Sequence, residues 1–264
     1  MLYIVILNHR SMHYLFVISF MLIAFCASSQ SEELTLNVDS AILSATLLNP
    51  DENPSKSVAL FFSGSGATDR DGNPGPQYKN NSLKMLAEGL AKEGIASLRF
   101  DKRGVGKSEF EGNEANISFD DFVNDGRSFL EYLKNDVRYE RYYVIGHSQG
   151  ALVGAMVSAD SSVNKFVSIA GISTSADEVI LSQLKSQSPL LGLVVEPKLD
   201  SLKKGFEVSL PDPPLDAMFR KSVQPFLMSW FKYDPKEEYK KIDGSILIVN
   251  GTTDIQVSTQ EAEL

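Results

Sequence analysis

The sequence predicts an α/β fold: a mostly parallel sheet with helices on both faces and a small helical insertion late in the chain. Short, continuous apolar runs recur between segments whose apolar residues have helical spacing. Strands buried on both sides and joined by crossover helices leave this pattern. The length of 264 residues, with 43% hydrophobic and 22% charged, is that of one globular domain with a large core.

Residues 14–25 form an apolar run behind His9 and Arg10, followed by the small residues Ala27, Ser28 and Ser29. That order is expected of a secretory signal peptide, and the run is short for a membrane span. Segment 1–29 is therefore expected to be cut after Ser29 and to send the chain to the periplasm or out of the cell. Left uncut, it would be a membrane anchor. Translation from Met12 would remove the apolar stretch 1–7, which is unusual for such a start. Cys26 is the single cysteine and lies in this segment, so the mature chain is expected to hold no disulfide and no cysteine-bound metal. The large Phe25 before it disfavours a lipoprotein site.

Residues 30–264 are expected to form the folded domain. Strands at 34–38 and 41–48 make an antiparallel entry, closed by the turn Asn49-Pro50-Asp51. The run 57–62 (SVALFF) is the first fully buried strand, and a glycine-rich loop follows. Leu83, Leu86, Ala87, Leu90 and Ala91 mark a helix with Ser82 as N-cap and Gly94 as its stop. Residues 95–100 read as the next strand. Ser118 and Asp121 form a capping box for a helix whose apolar stripe is Phe119, Phe122, Val123, Phe129, Leu130 and Leu133. Strand 142–145 leads into 151–159, apolar on most sides and so a helix buried against the sheet. Runs 165–169 and 245–250 are two further strands.

Between 172 and 240 the pattern changes to helical pieces, a Pro211-Asp212-Pro213-Pro214 break, and aromatics at Phe219, Phe226, Trp230 and Phe231. This reads as a cap inserted after a core strand. Its aromatics either form the cap's own core or line an acyl pocket. The formal net charge is −9 and no basic patch is visible, which argues against nucleic acid as a partner.

Gly146-His147-Ser148-Gln149-Gly150 fits G-x-S-x-G between a predicted strand and a predicted helix. A nucleophile elbow needs that context, because the serine must sit in a sharp, strained turn at the sheet edge. The flanking glycines let neighbouring backbone pass closely. The Gln149 N–H, at the helix start, can point at a developing oxyanion. Two look-alikes fail. The run ending Gly106-Lys107-Ser108 has Asp101 where a phosphate loop needs glycine, and the stretch from Asp69 has Pro74 and Asn80 where a calcium loop needs Gly and Glu.

Together with the elbow, three further stretches carry a resemblance. They are Asp101-Lys102-Arg103-Gly104-Val105-Gly106-Lys107-Ser108, Ser63-Gly64-Ser65-Gly66 with Asp69 to Asn73 beyond it, and Gly251-Thr252-Thr253-Asp254-Ile255-Gln256-Val257. In order and spacing they resemble the α/β-hydrolase superfamily, in the bacterial branch of secreted carboxylesterases and serine aminopeptidase-like hydrolases. The resemblance implies that Ser148 is the nucleophile, that Gln149 and Ser65 supply the oxyanion hole, and that Asp254 is the acid of a triad. Ser63 stands where the family usually has histidine. Arg103 is expected to hold its loop by charge. The implied activity is hydrolysis of a small-molecule carboxylic ester through an acyl-enzyme, without metal or cofactor. A peptidase or amidase with the same residues, an acyltransferase, and a non-catalytic binding protein of the same fold stay open. Oligomeric state is not indicated.

A triad base should follow the acid in chain order. The three histidines are His9, His13 and His147, and none follows Asp254. His147 is expected to be a packed neighbour. Ser258-Thr259-Gln260-Glu261 reads as a helix start with a capping box. These features lead to the expectation that the last strand and the base loop are missing from a C-terminally truncated sequence, and that these 264 residues alone are nearly inactive.

Overall fold

The computed structural model describes residues 30–50, 55–75, 77–209 and 213–263. The expected signal segment, with His9, His13 and Cys26, lies outside the described residues, as do Asp51 of the first turn and Pro211 and Asp212 of the cap break.

Among the described residues, seven strands form one path in the order β1-β2-β4-β3-β6-β7-β8. They are β1 (Gln30–Val38), β2 (Ala41–Asn49), β3 (Ser57–Phe62), β4 (Ala96–Phe100), β6 (Arg141–His147), β7 (Val163–Ile169) and β8 (Ser245–Val249). A two-residue strand, β5 (Glu109–Phe110), pairs with β2 off this path. Strands β4, β3, β6, β7 and β8 run parallel, and β1 and β2 form the antiparallel entry.

Strand β3 shows why the sequence reads as an unbroken apolar run. All six of its residues are buried. Val58, Leu60 and Phe62 pack toward α2 (Phe119–Lys134) and α3 (Gln149–Ser158), while Ala59 and Phe61 pack toward α1 (Ser82–Lys92) on the other face. Helix α3 is buried at all ten positions, as its nearly uniform apolarity requires. At the far side of the sheet β8 is an outer strand, with Leu247 57% and Val249 44% exposed.

The expected capping box of α2 forms, with Ser118 Oγ accepting from the Asp121 N–H. Ser82 does not cap α1. It is the first helical residue, and Asn81 before it takes a left-handed conformation. The reason is tertiary: the Asp71 carbonyl accepts from the Leu83 and Lys84 N–H groups and supplies what a side-chain cap would. The capping box expected at Ser258 is also absent. Thr259–Ala262 is a single 3₁₀ turn, and the Glu261 carboxylate has been drawn elsewhere.

Between β7 and β8 lie α4 (Ala176–Gln187), α5 (Pro189–Lys203), α6 (Pro213–Met218), α7 (Gln224–Trp230) and α8 (Pro235–Tyr239). The aromatics of this insertion join it to α2. Trp230 stacks on Phe119 at 5.7 Å, and Phe226 meets Phe122 at 5.2 Å between ring centroids. They therefore form a shared core. Among the described residues, no helix is long and apolar enough to cross a membrane.

Arg103 reaches from the loop after β4 to α2 and donates to both Asp125 oxygens, at 2.8 and 2.7 Å. Both side chains are buried. Removing one partner strands the other charge in the core. Asp125→Ala is expected to destabilise the protein by roughly 3–5 kcal/mol, while the double change Arg103→Met with Asp125→Leu costs far less. Denaturant unfolding of the single and double variants checks this, and equal losses would contradict it.

Candidate active site

The chain leaves β3 through α1 toward β4, then returns through α2 to β6 on the opposite side of β3. Adjacent strands whose connections depart in opposite directions leave a crevice at their carboxyl ends. Ser63 to Gly66 and the Ser148 turn both lie at that crevice.

Ser148 has φ 54° and ψ −123°, outside the ordinary basins for an L-residue. Such a conformation costs on the order of 1–3 kcal/mol and persists only where its surroundings enforce it. Here they do. A Cβ on Gly146 would stand 2.3 Å from the Gly150 carbonyl oxygen, and one on Gly150 would stand 2.4 Å from that of Phe62. The end of β3 is thus pressed against the elbow with only hydrogen atoms between. Helix α3 begins immediately after Ser148, so the Gln149 N–H heads that helix.

The loop after β3 packs on the Ser148 turn. A Cβ placed on Gly64 would lie 3.5 Å from Ser148 Cβ and 3.1 Å from His147 Nδ1. Ser65 is exposed, and its N–H has no hydrogen-bond acceptor among the described residues. Gly64 is tied down from the far side by Lys102, whose Nζ donates to the Gly64 carbonyl.

The two loops flanking the crevice share one carboxylate. Asp101 accepts from the Arg70 backbone N–H at 2.7 Å, from Arg70 Nε and Nη2, and from the Lys107 N–H at 2.9 Å. Arg70 and Asp101 are both buried. Gly106 has φ 58°, and a Cβ there would fall 2.3 Å from an Asp101 oxygen, so glycine is required.

Asp254 lies in the loop after β8, at the same end of the sheet. Its Oδ1 accepts from the N–H groups of Gln256 (2.8 Å) and Val257 (3.0 Å), which folds the loop into a local turn. No hydrogen bond joins it to Ser148 or His147 among the described residues. His147 is half-buried beside Ser148. Burial holds its pKa below the usual imidazole value, and the nearby Asp254 charge opposes that shift. The sequence-based site thus divides in two. Ser148, Gln149 and the Ser63–Gly66 loop are brought together, and Asp254 approaches through its charge.

Two contacts had no sequence signal strong enough to single them out. One is Lys102 on Gly64. The other is Glu261, whose carboxylate accepts from the N–H and hydroxyl groups of both Ser173 and Thr174. That clamp fastens the Asp254 loop to the start of the helical insertion.

Residues 77–211 match the family described as serine aminopeptidase, S33. The chain belongs to this family. The matched stretch contains Ser148 and Gln149, while Ser65 and Asp254 lie outside it. A curated relative, esterase EstD of Thermotoga maritima, is 28% identical over 209 residues, covering 78% of this chain and 48% of that protein. The chain therefore spans about half the length of that relative. Among solved structures, an esterase of Pyrococcus furiosus superposes with a TM-score of 0.62 at 17% identity, over 90% of this chain and 75% of the other. Est1E of Butyrivibrio proteoclasticus, with ferulic acid bound, gives 0.60 at 17% identity, over 87% and 83%. The architecture is the α/β-hydrolase fold shared by these members and neighbours, a mostly parallel mixed sheet with helices around it.

The Glu261 clamp has a pH signature. Burial raises its pKa, but the hydrogen bonds from Ser173 and Thr174 outweigh burial and leave it below the ordinary 4.5. A depressed carboxyl pKa adds stability that is complete above the unfolded value and is lost as pH falls through the folded one. Glu261→Gln is expected to lower the melting temperature near pH 7 and to lose that deficit below about pH 4. Melting curves of both proteins from pH 3 to 7 check this, and a deficit constant across that range would contradict it.

Proposed function

We propose that the protein is a serine hydrolase that cleaves small-molecule carboxylic esters through an acyl-enzyme on Ser148. The observation that carries the reading is the backbone of Ser148 itself. A residue held at φ 54° where strand meets helix, beside a loop whose Ser65 N–H has no acceptor among the described residues, is arranged for attack at an acyl carbon. In this reading Ser148 Oγ attacks, and the N–H groups of Gln149 and Ser65 receive the negative charge of the tetrahedral intermediate. The base takes the Ser148 proton and passes it to the departing alcohol as the intermediate collapses to the acyl-enzyme, and water, deprotonated by the same base, then releases the acyl group as a carboxylic acid. Each donor contributes roughly 3–4 kcal/mol of transition-state stabilisation. Asp254 is assigned the role of the acid that orients a histidine base.

His147 is assigned to packing, because its ring lies against Gly64 and makes no hydrogen bond to Ser148 among the described residues. The base is proposed to come from beyond these 264 residues, and reading the gene on either side of them tests that. Esterase EstD and the esterase neighbours support an ester substrate. The family description supports a second reading, cleavage of an N-terminal amide by the same serine. An aromatic ester and an aminoacyl anilide, assayed side by side, separate the two. Segment 1–29 is proposed to export the protein, and N-terminal sequencing of material recovered from the medium or periplasm checks the cut after Ser29.

A fluorophosphonate probe tests the nucleophile without requiring turnover. The full-length protein, with its base in place, is expected to gain one phosphonyl group on Ser148, and its Ser148→Ala variant to gain none. Equal labelling of both proteins, or none in either, would overturn the reading.

A further inference from the structure

We propose that Lys102 is a positioning residue of the oxyanion hole: its ammonium fixes the peptide plane whose opposite edge carries the Ser65 N–H. The inference rests on the reading above, in which that N–H receives the oxyanion.

The geometry is elementary. No peptide bond among the described residues is cis. In a trans peptide the C=O of one residue and the N–H of the next lie in one plane and point in opposite directions. Lys102 Nζ donates to the Gly64 carbonyl. Holding that oxygen on the buried side turns the Ser65 N–H to the other side, toward the crevice where Ser148 stands. Glycine at 64 leaves this plane with few intrinsic restraints, so an external fixture is needed. A charge on the carbonyl oxygen also polarises the peptide and makes its N–H a stronger donor.

The surroundings of Lys102 argue that it is there for this contact. Its side chain is buried, and no carboxylate pairs with it among the described residues. Asp101, its neighbour in sequence, is committed to Arg70 and to the Lys107 N–H. The Phe122 ring also faces the ammonium, 5.8 Å from Nζ to its centroid. Lys102 lines a small cavity with Phe62, Phe100 and Val153, and the same cavity is walled by Gln149, one proposed donor, and by Ser63, two residues before the other. Burial pushes its pKa down to about 7. A buried ammonium without a counter-charge costs stability. Residues that cost stability are expected where function requires them.

The test uses Lys102→Met, which keeps the apolar stem and removes the donor. First, the Ser65 amide is observed by ¹H–¹⁵N NMR, since the nitrogen shift reports the hydrogen bond on the preceding carbonyl. The Ser65 resonance is expected to move upfield in nitrogen, while the amides of α1 stay in place. Second, phosphonylation of Ser148 in the full-length protein, base included, is followed at several probe concentrations. The limiting rate is expected to fall roughly tenfold or more, below the ~10²–10³-fold cost of losing a donor outright, with the half-saturating concentration unchanged. Third, the melting temperature at pH 7 is expected to be equal or higher. A Ser65 amide indifferent to the change would overturn the inference, and so would a rate loss that merely follows a fall in melting temperature. A shifted amide with an unchanged rate would overturn the link to chemistry. If the unmodified protein is not labelled at Ser148, the functional reading fails instead, and the Ser65 resonance still decides whether Lys102 sets the peptide.

Discussion

Everything at the crevice depends on how closely the end of β3 approaches the turn between β6 and α3. Gly150 allows that approach because a single carbon on it would overlap the Phe62 carbonyl, and Gly146 lets the turn itself close because a carbon there would overlap the Gly150 carbonyl. The contact has two consequences. It holds Ser148 in a backbone conformation that an isolated chain would leave. It also seats the Gly64 loop directly on Ser148, so serine and loop are positioned by the same packing. The sheet supplies the rigidity, since β3 is buried at every position and pairs in parallel with both β4 and β6.

Buried charges fix the loops that the sheet cannot reach. Asp101 draws the loops after β3 and β4 together through Arg70 and the Lys107 N–H. Arg103, two residues on, fastens the second loop to Asp125 of α2. Lys102 lies between these two anchors in sequence. With its flanking residues both immobilised, its Nζ is delivered to one place, the Gly64 carbonyl. A tripeptide of three charged residues thus does three separate jobs, two of them as closed ion pairs and one as an open donor. Glu261 does for the Asp254 loop what Arg103 does for the loop after β4.

The fold was legible in the sequence wherever the cause was local. The run SVALFF, the apolar stripe from Phe119 to Leu133 and the Ser118–Asp121 box each encode their element by period or by a short-range hydrogen bond, and each appears where expected. The elbow was legible because its glycines are a local demand of backbone space. Errors arose where a distant group took over a local role. Ser82 has the chemistry of an N-cap, but the Asp71 carbonyl satisfies the helix first. Ser258 and Glu261 have the spacing of a capping box, but the donors of Ser173 and Thr174 hold the carboxylate. The Lys102 contact was hidden for the same reason, since nothing near it in sequence reveals an acceptor 38 residues away.

The most direct test of the account is a crystal structure of the phosphonylated protein. Phosphorus is expected on Ser148 Oγ, with its charged oxygen about 2.7–3.1 Å from the N–H groups of both Gln149 and Ser65. Phosphorus on another side chain, or a Ser148 adduct whose oxygen meets neither N–H, would contradict it.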